Sequence, residues 1–363
     1  MIRNYKYRIY PTKTQKKIID TTFDNCRFLY NIALQHRNDC WTSQRKSISY
    51  NQQANELHKI KEDFPQYKDI HSTILQNVLG RVDRAFQGFF RRVKISKDQC
   101  GFPRYKHKDR FKSITYTQSG FDFTKDKNRI KLSKIGLVKI KLSRPIPINA
   151  KIKTCTIKKE INHWYCVLSC EMPTIIKEKV VVQNAIGIDL GLTDFAVLSN
   201  GEEIVNPKYL KQSEAKLKER QSEYSKNRTK EKKKRLVKLH RKVTNQRKDF
   251  QHKTSKLLVD RFDLIAYEDL SIKEMMENGK YNLNKHIGDA SWGTFVAMLK
   301  YKAEDAGKYA IAINPRGTSQ KCSSCGAIVK KDLYERSHSC SCGFVASRDH
   351  NAAINILASG IDA

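Results

Sequence analysis

Three carboxylates stand at positions where acidic side chains are uncommon. Asp189 interrupts the apolar strand pattern AIGIDLG, Glu268 ends a second one in LIAYEDL, and Asp349 directly precedes the helical pattern NAAINILA. An acid in an apolar strand is costly to desolvate unless it is paired or bound to a metal. If both strands share one sheet, the acids can converge and bind two hard divalent cations suited to phosphodiester cleavage. The alternative is that they form ordinary ion pairs with the many lysines.

The last four of the ten cysteines form a cluster with metal-ligand spacing. A C-x-x-C pair and a C-x-C pair are separated by fourteen residues, and each pair is followed by a glycine: Cys322, Cys325 and Gly326, then Cys340, Cys342 and Gly343. Four thiolates form a closed tetrahedral zinc site, which is structural because no position is left for water. Because the C-x-C loop is tight, the role of His338 stays open: it is either a fourth ligand or a surface histidine.

The overall charge predicts a polyanionic partner. The 363 residues carry a formal charge of +33, which opposes compaction unless nucleic acid or another polyanion neutralises it. No apolar run approaches the roughly 18 residues of a membrane-spanning helix. The amino terminus lacks the apolar region of a secretory signal. We therefore expect a cytoplasmic, nucleoid-associated protein of a bacterium or archaeon, in which the six scattered cysteines are reduced buried thiols.

The hydrophobic periodicity predicts several domains of mixed type. A first strand, YKYRIYP, is followed by a helix that a Thr12–Gln15 capping box opens, and TILQNVLGRVDRAFQGFFRRVK is a second amphipathic helix. A period of two then predicts a small barrel or sheet that the first strand closes. Asp189 belongs to a three-stranded meander with an Asn200–Gly201 turn. A very basic helical hairpin over 209–260 separates the meander from the Glu268 strand.

Eight sequence blocks, taken together and in order, resemble the TnpB family, whose members are transposon-encoded RNA-guided nucleases and ancestor-like relatives of the type V CRISPR effectors. The resemblance covers nearly the whole chain. The blocks are YKYRIYPTKTQ, CRFLYNIALQHR, DRAFQGFFRR, GFPRYKHK, IGIDLGL, EDL, TSQKCSSCG and RDHNAAINIL.

The resemblance implies an α/β multidomain fold with an RNase H-like (RuvC) nuclease core. A wedge β-barrel comprises residues 1–11 and 118–180, and a helical recognition insert comprises 12–117. The RuvC-like domain comprises 181–321 and 346–363, with a zinc ribbon inserted at 322–345. The family pattern more often has C-x-x-C at the second cysteine pair, and an Asp where this chain has Ser347. We expect Ser347 to affect only the local hydrogen bonding.

The resemblance also implies roles for individual residues. Asp189, Glu268 and Asp349 become the catalytic acids that bind two Mg²⁺, the four cysteines bind a structural Zn²⁺, and Asn351 orients a ligand or water beside the acids. The nucleic-acid contacts implied are those to a guide RNA transcribed from the element and to a double-stranded DNA target next to a short flanking motif. The residues expected to make them are Gln76, Thr117, Arg104, Tyr105 and Lys106.

Two other functions remain open at this point. A guided DNA-binding repressor would not cleave, although such relatives have lost the acids that this chain retains. A guide-independent RuvC-like resolvase or transposase would cut without RNA, but it gives no purpose to the basic hairpin or to the amino-terminal helices. The sequence identifies no protein partner.

Overall fold

The computed structural model describes residues 2–95, 100–173, 179–278, 281–332 and 335–363. The chain divides into two compact units, residues 1–175 and 176–363. Each unit contains its own β-sheet and its own helices. Within the described ranges, no helix has the length and apolar character needed to span a membrane.

A seven-stranded antiparallel sheet forms the centre of the first unit. Its hydrogen-bonded order is β2-β6-β7-β1-β5-β4-β3, and the lysine-rich strands alternate between buried and exposed positions, as the period of two predicts. The strands are β1 (Ile2–Tyr10), β2 (Ser113–Thr117), β3 (Phe121–Phe123), β4 (Arg129–Leu132), β5 (Gly136–Lys141), β6 (Lys151–Glu160) and β7 (His163–Glu171).

In the described residues between β1 and β2, four α-helices share a core with the sheet. They are α1 (Lys13–Gln44), α2 (Tyr50–Asn55), α3 (Leu57–Asp63) and α4 (Ser72–Ile95). The predicted capping box is present at the start of α1, where Thr12 Oγ1 accepts from Gln15 N at 3.2 Å and Gln15 Oε1 accepts from Thr12 N at 3.0 Å. The apolar faces of α1 and α4 are buried, as their 3.6-residue period predicts.

Two details of the first unit differ from the sequence-based expectation. The first strand does not close a barrel: β1 lies in the middle of the sheet between β5 and β7, while β2 and β3 are the two ends of the hydrogen-bonded order in the described part of the chain. The boundary of the helical insert at residue 117 is also wrong. Ser113–Thr117 is strand β2, which pairs with β6 because its alternating residues Ile114 and Tyr116 face the core.

A five-stranded mixed sheet forms the centre of the second unit, in the order β10-β9-β8-β11-β12. The predicted meander forms the antiparallel half, β8 (Ala185–Leu190), β9 (Asp194–Leu198) and β10 (Glu203–Val205), with Gly201 in the left-handed region at the turn. On the other side, β11 (Leu264–Glu268) pairs in parallel with both β8 and β12 (Tyr309–Ile313). The parallel strands β8 and β11 therefore end at the same edge.

Among its described residues, the second unit also has six α-helices and a small hairpin. The helices are α5 (Tyr209–Lys226), α6 (Lys230–Arg261), α7 (Ile272–Asn278), α8 (Tyr281–Ala290), α9 (Trp292–Ala306) and α10 (Arg348–Ile361), and the hairpin pairs β13 (Ser337–Ser339) with β14 (Val345–Ser347). The basic helices α5 and α6 form the predicted hairpin. Helix α10 packs across β8 and β11, so its first turn is brought to the edge where these strands end.

Candidate active site

The three predicted acids lie on three elements that meet at one edge of the mixed sheet. Asp189 is the penultimate residue of β8 and Glu268 is the last residue of β11. In the pairing of β8 with β11, Ile188 lies opposite Tyr267. Asp189 and Glu268 are the next residues on the two strands, so they stand at the same level of the sheet. Asp349 lies in the first turn of α10. The carboxyl edge of parallel strands is where α/β sheets bind ligands.

The charges of the three acids act on one another, but among the described residues only the four clustered cysteines gather their ligand atoms closely enough to hold a metal ion. Burial raises the pKa of Asp189 to about 8, with further upward contributions from the charges of Glu268 and Asp349 and a downward one from Arg348. Burial also raises the pKa of Glu268, although a hydrogen bond from Thr318 opposes the change. The three carboxylates therefore repel one another in a poorly solvated pocket.

The alternative of ordinary lysine pairing does not describe this site. Asp349 pairs with its neighbour Arg348, whose Nε lies 3.3 Å from its Oδ1. Among the described residues, Asp189 and Glu268 have no ion pair with a lysine or arginine. Arg348 is the cation that acts on both Asp189 and Asp349, and a bound divalent cation would compensate the remaining negative charge of the three acids.

Glycines at the contacts of α10 with β8 and β11 let the helix that carries Asp349 lie close against the two strands that carry the other acids. A Cβ added to Gly187 of β8 would lie 2.1 Å from the carbonyl oxygen of Ala353 and 2.6 Å from Leu357 N. At the other end of α10, a Cβ on Gly360 would lie 2.4 Å from the Cβ of Ala266 on β11. Helix α10 can approach the two strands only because these glycines have no side chain.

The substitution Gly187→Ala should therefore destabilise the second unit by at least about 1–3 kcal/mol, as overpacking does. The added methyl group must displace backbone atoms of α10, which cannot rotate away as a flexible side chain can. Thermal unfolding monitored by circular dichroism measures the effect. Gly288→Ala is the matched control, because a Cβ there meets no atom within 4 Å. Equal melting temperatures for the two variants would contradict this packing argument.

Asn351 makes contacts that the sequence did not predict. Its side chain is fully buried, its Oδ1 accepts from Ser323 N at 2.9 Å, and its Nδ2 donates to the carbonyl of Lys321 at 2.8 Å. These bonds connect α10 with the first cysteine pair, and the role of Asn351 in orienting a ligand beside the acids stays a prediction. Ser347, where the family pattern has Asp, caps α10 by accepting from His350 N at 3.2 Å.

The four clustered cysteines converge in the structure, with their Sγ atoms all within 4.8 Å of one another. Sγ of Cys322 lies 3.8 Å from that of Cys342, and Sγ of Cys325 lies 3.6 Å from that of Cys340. The glycines after the two pairs, Gly326 and Gly343, have φ values of 80° and 88° and form the expected turns. This donor set fits a tetrahedral metal such as zinc.

His338 is neither a surface residue nor a member of this sulfur cluster. It lies on β13 with no exposed area, while the four thiols gather without it. Burial raises the pKa of the Cys322 thiol, but backbone N–H groups and the adjacent His338 ring oppose the change, and the net result is a lower pKa of about 7. The backbone N–H of Cys342 is the main cause that lowers the pKa of Cys340 to about 6.

Two of the predicted nucleic-acid residues lie together in the first unit. Gln76 on α4 and Thr117 on β2 line one surface cavity of about 470 Å³, with Asn77, Arg84 and Gln118 among its other lining residues. Its donors and acceptors are of the kind that contact bases and phosphates.

Three further predicted residues lie between α4 and β2 in the sequence. Arg104 and Tyr105 are exposed. Lys106 lines a basic cavity of about 330 Å³ together with Arg81, Arg84 and Arg110, and its backbone N–H donates to Asn31 Oδ1 at 2.8 Å. Arg104 and Tyr105 are therefore exposed, whereas Lys106 lies in a basic cleft.

The sequence-based analysis missed two side chains that contact the site region. Thr318 donates from Oγ1 to Glu268 Oε1 at 2.6 Å, and Asn355 Nδ2 donates to the carbonyl of Thr318 at 2.8 Å. Both belong to blocks that carry the family resemblance, TSQKCSSCG and RDHNAAINIL. The sequence shows that Thr318 and Asn355 belong to these blocks, but it does not show which residues they bond to.

The chain is thus a two-unit α/β protein with an acidic site at a sheet edge and a four-cysteine cluster. Known proteins and protein families are similar to it in sequence. Profiles match residues 167–279 ("Probable transposase"), 292–356 ("Cas12f1-like, TNB domain") and 1–46 ("Helix-turn-helix domain"). In the last range the structure has strand β1 and the single helix α1.

Relatives that align with nearly the whole chain identify the family to which it belongs. A Streptomyces pristinaespiralis protein named "Putative RNA-guided DNA endonuclease" is 35% identical over 99% of this chain and 90% of its own length. InsQ of Escherichia coli (strain K12), with the same description, is 27% identical over 99% of this chain and 92% of its own length. The chain therefore belongs to the TnpB family.

A solved structure supports the similarity at the level of the fold. The mini RNA-guided endonuclease CRISPR-Cas phi3 superposes with a TM-score of 0.51 at 11% sequence identity, covering 99% of this chain and 92% of that one. At this identity the likeness concerns the chain path and not the individual residues.

Proposed function

We propose that this chain is an RNA-guided DNA endonuclease of a transposable element, which cleaves target DNA next to a short flanking motif. The observation that carries the proposal is that Asp189, Glu268 and Asp349 stand on three elements that meet at one sheet edge, where their charges act on one another. Membership of the TnpB family supports the choice of nucleic acid as substrate. Asp-Glu-Asp clusters of this kind suit phosphodiester hydrolysis.

The strand order of the second unit supports an RNase H-like (RuvC) core as its fold. Three antiparallel strands followed by two parallel ones, with α10 across them, present an acid on the first strand, the fourth strand and the last helix. The four-cysteine cluster is then a zinc ribbon over 322–345, inserted before the last acid. In the first unit, the sheet corresponds to the wedge domain and helices α1–α4 to the recognition insert.

The residues present offer ligands for two kinds of metal, although among the described residues only the four cysteine sulfurs are gathered closely enough to hold an ion as they stand. Asp189, Glu268 and Asp349 offer hard oxygen ligands that would hold Mg²⁺, and the four cysteine thiolates would hold Zn²⁺. When bound, magnesium would supply activation of the attacking water and charge compensation at the leaving oxygen. The chain contributes two contacts to the acids: Arg348 faces Asp349, and Thr318 holds Glu268. The cysteine cluster contributes to the fold of the segment that precedes Asp349.

The charge and the surfaces of the chain support a guide RNA and a DNA duplex as its partners. A formal charge of +33 matches a large polyanion. Gln76 and Thr117 share a polar cavity suited to reading a short flanking motif, and Arg84 borders both this cavity and the basic one that contains Lys106. Base pairing with the guide would supply the remaining sequence specificity.

The magnesium requirement of cleavage should fall as the pH rises towards 8. The pKa of Asp189 in the metal-free protein is raised to about 8, so a proton competes with the metal for this carboxylate at lower pH. One competing proton changes the magnesium concentration at half-maximal rate by about tenfold per pH unit below 8. Cleavage rates over a magnesium titration at pH 6.5, 7.5 and 8.5 measure this. A midpoint independent of pH would contradict the expected competition.

The experiment that tests the function uses the protein made in cells that also contain the DNA flanking its gene. RNA that copurifies is sequenced, and the complex is mixed with a plasmid library of randomised flanks in magnesium. We expect one discrete RNA and cutting beside a single flanking motif. A bound RNA without cutting would instead indicate a guided repressor, and cutting without RNA would indicate a resolvase or transposase.

A further inference from the structure

Thr318 reaches Glu268 because of the path that the chain takes after the last strand. β12 ends at Ile313, which is the register partner of Glu268 in the parallel pair. The chain then turns at Pro315 and at Gly317, whose φ of 79° is in the left-handed region. Thr318 follows directly with only 9% of its area exposed, and its hydroxyl lies 2.6 Å from Glu268 Oε1.

The hydroxyl of Thr318 has a choice of acceptors, and the distances indicate which one it uses. The carbonyl of Pro315 lies 3.2 Å away, as it would in a purely local turn. A hydroxyl has one proton to donate, and the bond to a carboxylate is both shorter here and intrinsically stronger. The proton is therefore directed to Glu268, a residue fifty positions away in the sequence.

Helix α10 holds the segment that carries this hydroxyl. We call residues 318–323 the strap. Asn355 Nδ2 donates to the carbonyls of Thr318 and Lys321 at 2.8 and 2.7 Å, and Asn351 contacts Lys321 and Ser323. These asparagines are one turn apart on the helix that begins with Asp349. The strap ends within the first cysteine pair, so one network connects the cysteine cluster, the helix of one acid and the side chain of another.

We propose that Thr318 is a positioning residue for Glu268: its hydroxyl occupies one carboxylate oxygen and so orients the other towards the pocket shared with Asp189 and Asp349. This inference rests on the proposed nuclease function, because it concerns the metal ligands of that reaction. A carboxylate side chain without such a donor samples several rotamers, whereas a hydrogen-bonded one is fixed before the metal arrives.

The test compares Thr318→Val, which removes the hydroxyl and keeps the shape, with Thr318→Ser, which keeps the hydroxyl. Single-turnover cleavage by the protein–RNA complex should fall roughly 10- to 100-fold in the Val variant, with a higher magnesium midpoint, and recover largely in the Ser variant. Target binding without divalent metal should be unchanged in both. Thr244→Val is the matched control, because that hydroxyl bonds only within its own helix, to the carbonyl of His240 at 2.9 Å.

A second readout does not depend on cleavage. Tb³⁺, which binds carboxylate sites, is titrated into the full-length RNA-free protein, and its sensitised emission is compared with that of Asp189→Asn to isolate binding at this pocket. The Val variant should bind Tb³⁺ at the pocket roughly tenfold or more weakly than the wild type, and the Ser variant should bind it nearly normally. If the wild-type complex cut no DNA, the proposed function would fail, but the Tb³⁺ comparison would still decide the role of Thr318.

The outcomes separate positioning from ordinary structural support. Wild-type cleavage and Tb³⁺ binding in Thr318→Val would overturn the inference. An equal loss in the Val and Ser variants, or a loss of target binding together with a lower melting temperature, would also overturn it, because it would mean that Thr318 only supports the fold. Loss in Val with recovery in Ser, at unchanged target binding, supports it.

Discussion

Replacing Asp189 with Asn should reduce DNA cleavage by at least about 10³-fold while leaving target binding intact. Asp189 lies on β8, the central strand of the five-stranded sheet. Its charge interacts with both other acids. Losing one of three carboxylates removes metal-dependent stabilisation of several kcal/mol, at about 1.4 kcal/mol per tenfold in rate. Single-turnover cleavage of a matched target measures the loss, and a filter-binding assay without metal measures the binding.

The same variant should not lose stability when the metal is absent. The folded protein raises the pKa of Asp189 to about 8, so the ionised carboxylate disfavours folding near neutral pH, and a neutral amide relieves this repulsion. Its melting temperature in chelator should equal or exceed that of the wild type. Glu203→Gln, an exposed change on β10, which β9 separates from the strand of Asp189, is the control that should retain cleavage. A cleaving Asp189→Asn protein would contradict the catalytic assignment.

Replacing Cys322 with Ser should remove bound zinc and abolish most cleavage. Cys322 is buried, and its sulfur lies 3.8 Å from that of Cys342. Structural zinc contributes roughly 10–16 kcal/mol to the folding of small zinc domains, so loss of one thiolate should disorder the ribbon. Cys322 lies within the strap, between Lys321 and Ser323, whose backbones bond to Asn351 and Asn355, so the loss should reach Glu268. We expect a cleavage reduction on the order of 100-fold or more.

Metal analysis and limited proteolysis measure the effect of Cys322→Ser. The zinc content should fall from about one ion per chain to nearly none, in line with the four-cysteine donor set, and cleavage by protease should increase between the strap and α10. Cys40→Ser is the matched control, because Cys40 is a half-buried residue of α1 outside the cluster. Full activity in a zinc-free Cys322→Ser protein would refute the coupling between the ribbon and the acidic site.

The main features of the acidic site could be predicted because they depend on local sequence. An acid in the apolar strand AIGIDLG conflicts with its surroundings, and this conflict marks a site before any tertiary contact is known. The cysteine spacing is equally local, as are the capping box at Thr12 and the Asn200–Gly201 turn. In each case, residues close in the sequence determine the geometry.

The contacts that could not be predicted depend on how distant segments pack. The bond from Thr318 to Glu268 joins residues fifty positions apart, and the contacts of Asn351 follow from where α10 meets the strap. The central position of β1 in its sheet depends on pairing with β7, about 160 residues later.

The most direct test of the central claim is to reprogram the RNA. The segment of the copurifying RNA that matches the target is replaced by a new sequence, and the complex is mixed in magnesium with two plasmids that carry the same flanking motif. Cutting should move from the plasmid with the original target to the plasmid with the new one. Continued cutting of the original plasmid, or equal cutting of both, would contradict guidance by RNA and would leave the acidic site as that of an unguided nuclease.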